Sequence, residues 1–91
     1  MEISDELLSE ISYVKISSYR EKVMNTLKDV TKMPSEIAKD AGIRQNHISN
    51  VLRQLKEHEM VECLNPEVKK GRLYRLTEKG EKIVENIDKV D

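Results

Sequence analysis

Between Gln45 and Gln54 the chain places two carboxamides, a guanidinium and a hydroxyl at positions that a helix would gather on one side. Asn46, Asn50 and Arg53 form the centre of that polar face, Ser49 and Gln54 flank it, and His47 stands beside them. A solvated helix surface is ordinarily filled with Glu and Lys. Amide, hydroxyl and guanidinium groups instead offer donors and acceptors in planar arrays, the type that pairs bidentately with nucleobase edges. Taken alone, the stretch also fits a plain solvated face, and only its surroundings can choose between the two. A second set lies downstream, where Lys69, Lys70, Arg72 and Arg75 occur within residues 69–75 with no acid among them. The net charge is −1, yet a local basic patch is enough for contact with phosphate. The opposite sign collects at the start: Glu2, Asp5, Glu6 and Glu10 precede the first Lys or Arg.

Other chemistries find little support. Cys63 is the only cysteine, which rules out an intrachain disulfide and a thiolate metal cage; it reads as a small buried hydrophobe, with a one-cysteine redox sensor as the sharper alternative. His47 and His58 lie three helical turns apart and do not make a metal pair. There is no nucleophile beside a base and no glycine loop for phosphates, so neither an enzyme nor a cofactor or metal is expected. No apolar run approaches the roughly 18 residues of a membrane span, and Met1-Glu2-Ile3-Ser4-Asp5 lacks the features of a signal peptide. A cytoplasmic protein without a membrane partner is expected. At 91 residues, with no Trp or Phe, the chain predicts a single domain around an aliphatic core.

The elements that must hold the polar face can be read in order. Ser4 with Asp5 and Glu6 is a helix start, Ile3 and Leu8 are placed for a hydrophobic staple, and Leu7, Leu8, Ile11 and Val14 form a stripe behind them. Ser18-Tyr19-Arg20-Glu21 fits a capping box for a second helix, carried by Tyr19, Val23 and Leu27 and ending near Asp29 or Val30. Residues 31–34 suit a one- or two-residue stub strand. Pro34 opens a short third helix with Glu36 three residues after Met33, and Gly42 ends it with a left-handed cap before Ile43 turns back into the core. Ile48, Val51, Leu52 and Leu55 then form the apolar stripe of the helix bearing the polar face. Val61–Leu64 and Arg72–Leu76 alternate as two strands of a hairpin with a basic tip. Thr77 caps a last helix striped by Ile83, Val84, Ile87 and Val90, while His58 reads as a surface residue at the end of the fourth helix.

Pro34-Ser35-Glu36-Ile37-Ala38 with Gly42-Ile43, Ile48-Ser49-Asn50-Val51-Leu52 leading to Leu55 and Met60-Val61, and Gly71-Arg72-Leu73-Tyr74-Arg75-Leu76-Thr77-Glu78-Lys79-Gly80 resemble the winged helix-turn-helix transcriptional regulators of the MarR and ArsR type, compact archaeal ones in particular. The resemblance covers residues 18–80. It implies a mainly α fold with a small β-hairpin, a winged helix-turn-helix with added N- and C-terminal helices, and a double-stranded DNA partner. The helix from about Gln45 to Glu57 would then enter the major groove and turn Gln45, Asn46, His47, Ser49, Asn50 and Arg53 toward bases, with Asn50 suited to adenine and Arg53 to guanine. Lys69, Lys70 and Arg72 on the wing would touch phosphate or a minor groove, and Ser35, Lys39 and Arg44 would add backbone contacts. The chain departs from the pattern in three respects: it lacks the cysteine clusters of metal-sensing relatives, it has Arg44 where many relatives begin the recognition helix with Ser or Thr, and it is shorter than MarR-type relatives, whose added helices form a ligand pocket, so no small-molecule effector is assigned.

Within the single domain the expected division is a first helix over 1–16, a winged-helix core over 17–76 and a last helix over 77–91. The stripes of the outer helices, Leu7, Leu8, Ile11 and Val14 with Ile83, Val84, Ile87 and Val90, are expected to form a homodimer interface; the alternative is that both helices fold back over their own domain. A dimer would set two recognition helices roughly 34 Å apart on an inverted repeat. The competing functional reading, suggested by the near-zero charge and acidic start, is a winged helix used as a protein-interaction module in the transcription machinery.

Overall fold

Three of the helices begin at a Ser or Thr hydroxyl that accepts from a first-turn amide. In the computed structural model, which describes residues 4–89, α1 spans Asp5–Lys15. The Leu7 amide donates to Ser4 Oγ at 3.1 Å, and Asp5 and Glu6 sit at the positive end of the helix. Of the staple expected with Leu8, Ile3 lies outside the described residues.

Helix α2 spans Ser18–Thr26 and corrects the expected boundaries at both ends. Its cap is Ser17, whose Oγ accepts from the Arg20 amide at 3.3 Å, so Glu21 is one place too late to complete a capping box. It stops short of Asp29 because the chain turns after Thr26 and carries Asp29 at φ 59. Helix α3, Pro34–Ala41, begins with the Met33 amide donating to Glu36 Oε1 at 2.9 Å. Gly42 closes it at φ 69 and ψ 34, and the Ile43 amide donates to the Ala38 carbonyl at 2.9 Å. Helix α4, Gln45–Glu57, follows after the three residues Gly42, Ile43 and Arg44.

The hairpin pairs β1, Val61–Cys63, with β2, Tyr74–Leu76, in antiparallel register: Val61 faces Leu76, Glu62 faces Arg75 and Cys63 faces Tyr74. Both strands are shorter than the alternating runs suggested, since the Leu73 amide goes to the Asn65 side chain at 2.8 Å instead of to a ladder partner. The stub strand is a single bridge, with Lys32 and Tyr74 exchanging amide-to-carbonyl bonds of 3.0 and 2.9 Å. Helix α5, Glu78–Asn86, runs into one 3₁₀ turn at Ile87–Lys89.

One aliphatic core joins all of these elements. Ile48, Val51, Leu52 and Leu55 of α4 meet Val23, Met24 and Leu27 of α2 and Ile37, Ala38 and Ala41 of α3. Ile11 and Val14 of α1 are fully buried in the same cluster, as is Ile83 of α5, with Val84 and Ile87 only 8 % and 2 % exposed. The expected dimer stripe is corrected for these five: their surface is consumed inside one chain, because both outer helices fold back on the winged-helix core. Leu7 is half-buried against that core, Leu8 is 40 % exposed, and Val90 lies outside the described residues.

The segment Leu76-Thr77-x-x-Gly80 has a steric basis. Thr77 Oγ1 donates to the Glu59 carbonyl at 2.6 Å and accepts from the Gly80 amide at 3.0 Å, while the Thr77 amide donates to the Met60 carbonyl at 3.0 Å. This brings α5 so close to the Met60 backbone that a Cβ on Gly80 would stand 2.1 Å from the Met60 oxygen. Gly80→Ala is expected to cost about 2–3 kcal/mol by overpacking against backbone. Gly42→Ala, which meets open space but must hold φ +69, is expected to cost only about 1–2 kcal/mol. Urea denaturation of the two variants measures both and their order.

Candidate nucleic-acid interface

Helix α4 is rolled so that its aliphatic stripe faces inward, which leaves Gln45, Asn46, His47, Ser49, Asn50 and Arg53 all exposed. Asn46, Asn50 and Arg53 form a central ridge. Arg53 donates to Asn50 Oδ1 and stands 3.7 Å from Glu57 Oε1. One flank turns toward α2, where the His47 ring lies 5.6 Å from Tyr19 and Gln54 Oε1 accepts from Arg20 Nε at 3.1 Å. Gln54 therefore serves the packing of α4 on α2 and is withdrawn from the polar face on which the wheel placed it.

The other flank faces the wing across a cleft of about 350 Å³. Ser35 at the start of α3, Gln45 and Ser49 of α4, and Lys69, Lys70 and Arg72 of the wing all line it, and among the described residues no carboxylate does. A neighbouring cleft of about 290 Å³ continues along α4 past Arg53 and Lys56 to Tyr74. The fold thus joins the two separate sets of polar residues into one surface. Lys39 and Arg44 are exposed but line neither cleft. Arg44 occupies the N-cap of α4 without a side-chain cap bond, so part of that helix's first-turn donor capacity stays open to an external acceptor.

Lys56 and Tyr74 also belong to this surface, although neither was singled out for contact from the sequence. Lys56 was legible in principle, being seven residues after Ser49 on the same helical flank. Tyr74 was not, because its place depends on the bridge to Lys32.

The wing is shaped by its own side chains. Asn65 Nδ2 donates to the Gly71 carbonyl at 3.1 Å while Asn65 Oδ1 accepts from the Leu73 amide at 2.8 Å, closing the loop across its base. Arg72 Nε donates to the Val68 carbonyl at 2.7 Å and its Nη2 to that of Pro66 at 3.3 Å. Much of the Arg72 guanidinium is therefore spent on the loop, and Lys69 and Lys70 are the freer cations at the tip.

At the far end of α4, His58 departs from the expected surface position. Its ring is half-buried, stacked on Tyr13 with centroids 3.7 Å apart, and its Nδ1 lies 3.2 Å from Glu10 Oε2. The Arg20 guanidinium sits 3.9 Å from the same Tyr13 ring. Both groups cannot occupy one face at such distances, so Tyr13 is sandwiched between them. Among the described residues no group of three or more His, Cys, Asp or Glu could hold a metal ion, and no helix is long and apolar enough to cross a membrane.

A helix-turn-helix whose second helix turns an amide- and guanidinium-rich ridge outward beside a basic two-stranded wing defines a winged-helix domain. The family model described as winged helix-turn-helix matches residues 20–91, and the chain belongs to that family. Solved structures agree in fold. NadR, crystallised with 4-hydroxyphenylacetate, superposes with a TM-score of 0.71 at 22% identity, covering 93% of this chain and 64% of NadR. The MarR family transcriptional regulator SPO1453 from Silicibacter pomeroyi DSS-3 gives 0.71 at 17%, with the same two coverages. A mutant of ZitR from Lactococcus lactis gives 0.70 at 20%, covering 80% of this chain and 51% of ZitR. The chain thus spans less than two thirds of each of the three chains compared. No curated protein sequence matches it significantly.

Asn65→Ala is expected to leave the Leu73 amide without its acceptor, at a local cost of about 1–2 kcal/mol. Hydrogen exchange followed by NMR should show the Leu73 amide exchanging roughly tenfold faster or more, with the α4 amides unchanged.

Proposed function

We propose that this chain is a sequence-specific double-stranded DNA-binding transcriptional regulator, with α4 in the major groove and the wing on the backbone or minor groove. The observation that carries this reading is the continuous, carboxylate-free cleft surface that links the exposed ridge of α4 to Lys69 and Lys70. A major groove about 12 Å wide admits a helix of this kind, and Gln45, Asn46, Ser49, Asn50 and Arg53 on its outer side have the donors and acceptors to meet base edges. His47 is assigned to the same face at its α2 edge. Lys69 and Lys70 contribute charge to phosphates, joined by Lys56, and the open N-terminus of α4 with Arg44 suits a phosphate oxygen. Ser35, Lys39 and the remaining donors of Arg72 are assigned to the backbone. Cytoplasmic action follows from this reading, and no catalytic role is assigned.

The second partner in the proposal is another copy of the chain. With Ile11, Val14, Ile83, Val84 and Ile87 committed to the core, the large apolar side chains that the first helix still exposes among the described residues are Leu8 and, just beyond α1, Ile16, which is 81 % exposed. Sedimentation equilibrium is expected to give twice the 10.6 kDa chain mass, and Leu8→Glu with Ile16→Glu to return the monomer. A wild-type monomer would remove the inverted-repeat site from the proposal.

Fluorescence anisotropy with labelled promoter fragments across a salt series tests DNA binding. Replacing Lys69 and Lys70 by Ala is expected to weaken binding to all sequences alike and to lower the log–log salt slope by about 2. Binding to promoter fragments no tighter than to random duplex sinks the sequence-specific reading. A folded protein with no salt-dependent DNA binding favours the protein-interaction module instead.

A further inference from the structure

The ridge of α4 holds an arrangement that independent side-chain readout does not need. Arg53 donates an N–H to Asn50 Oδ1, one turn toward the helix start, and its other terminal nitrogen lies 3.7 Å from Glu57 Oε1, one turn toward the end. The side chains of Arg53 and Glu57 remain 67% and 63% exposed, so this ladder lies along the outer crest of the helix and is not buried packing.

We infer that Asn50 and Arg53 act as one reading unit for a guanine, with Asn50 as the residue that positions the Arg53 guanidinium and not as a separate reader of adenine. The inference rests on the reading of α4 as the recognition helix. A bidentate contact to adenine needs the Asn oxygen to accept from the exocyclic amine while the Asn nitrogen donates to the ring. Here one of that oxygen's two lone pairs is taken by Arg53, so an adenine amine would have to share the oxygen with the guanidinium. Arg53 has five N–H donors, and giving one to Asn50 leaves enough for the paired contact to guanine O6 and N7. A free arginine surrenders much rotamer freedom when it docks. One held in advance by neighbours on both sides surrenders less, so the loss falls on folding and not on binding.

Asn50→Asp separates this role from adenine reading, because a carboxylate still accepts from Arg53 but has no amide donor for a base. The test is selection from a pool of duplexes with a randomised core, using the wild type, Arg53→Ala, Asn50→Ala and Asn50→Asp. All replaced side chains are exposed, and circular dichroism checks that each variant folds. Arg53→Ala is expected to erase a guanine preference at one position. Asn50→Ala is expected to lower that same preference on the order of tenfold while leaving the other positions unchanged. Asn50→Asp is expected to restore it, at lower overall affinity because a negative charge is added next to DNA. Loss of an adenine preference at a different position in Asn50→Ala, with the guanine preference intact, overturns the inference. So does a wild-type sequence preference that none of the three variants changes; in both cases the DNA-binding reading stands. A wild type that binds DNA but enriches no sequence overturns the inference and sequence-specific regulation together.

Discussion

The rotation of α4 about its own axis is the constraint on which the surface depends. Ile48, Val51, Leu52 and Leu55 are between 0 and 5 % exposed, and burying each such side chain contributes about 1.5–3 kcal/mol. Four of them approach the whole stability of a domain this size, about 5–15 kcal/mol. Rolling the helix by one residue would expose part of this stripe and bury amides or a guanidinium without partners, so the alternative lies several kcal/mol higher. The outward direction of Asn46, Asn50 and Arg53 is a by-product of that burial. No interaction among the polar residues themselves is required to turn them outward; the Asn50–Arg53 bond acts on the guanidinium's orientation, not on the face it occupies.

What the stripe leaves open is settled by the flanks. Toward α2, the bond from Arg20 to Gln54 and the contact of His47 with Tyr19 attach one edge of α4 to a helix that also carries much of the core. At the far end, Glu10 lies 3.2 Å from both His58 Nδ1 and Lys79 Nζ, and Tyr13 is held between His58 and Arg20. These pairs are partly solvated and individually worth little, typically below about 1 kcal/mol. They join α1 to the end of α4 and to the first turn of α5 in addition to the burial of Ile11 and Val14.

The wing shows the same economy. A hairpin with two three-residue strands has too few ladder bonds to hold its shape alone. Asn65 and Arg72 supply the missing bonds within the loop, the Lys32 bridge ties the hairpin to the segment before α3, and the close approach of Gly80 to Met60 ties it to α5. The basic tip is thereby presented at a definite distance from α4. Arg72, which charge alone would count with Lys69 and Lys70, is largely absorbed in building that tip.

Much of this was legible along the chain, because helix starts, the Gly42 cap and the aliphatic stripes depend on neighbours a few residues away. Ser4, Pro34 with Glu36, Gly42 and Thr77 mark their elements as read, and the α4 stripe distinguishes inside from outside with no knowledge of what covers it. The errors fall where two neighbours compete for one role, as Ser17 and Ser18 do for the cap of α2, or where a partner is distant in sequence. Periodicity shows that Ile11, Val14, Ile83 and Ile87 must be covered but cannot show by what, since a second copy and the chain's own core offer the same apolar contact. Only the tertiary structure decided that the outer helices fold back, that Gln54 and His58 turn inward, and that Asn50 already holds Arg53. Each of those outcomes rests on side-chain geometry or on contacts between elements, and a linear pattern of residue types carries neither.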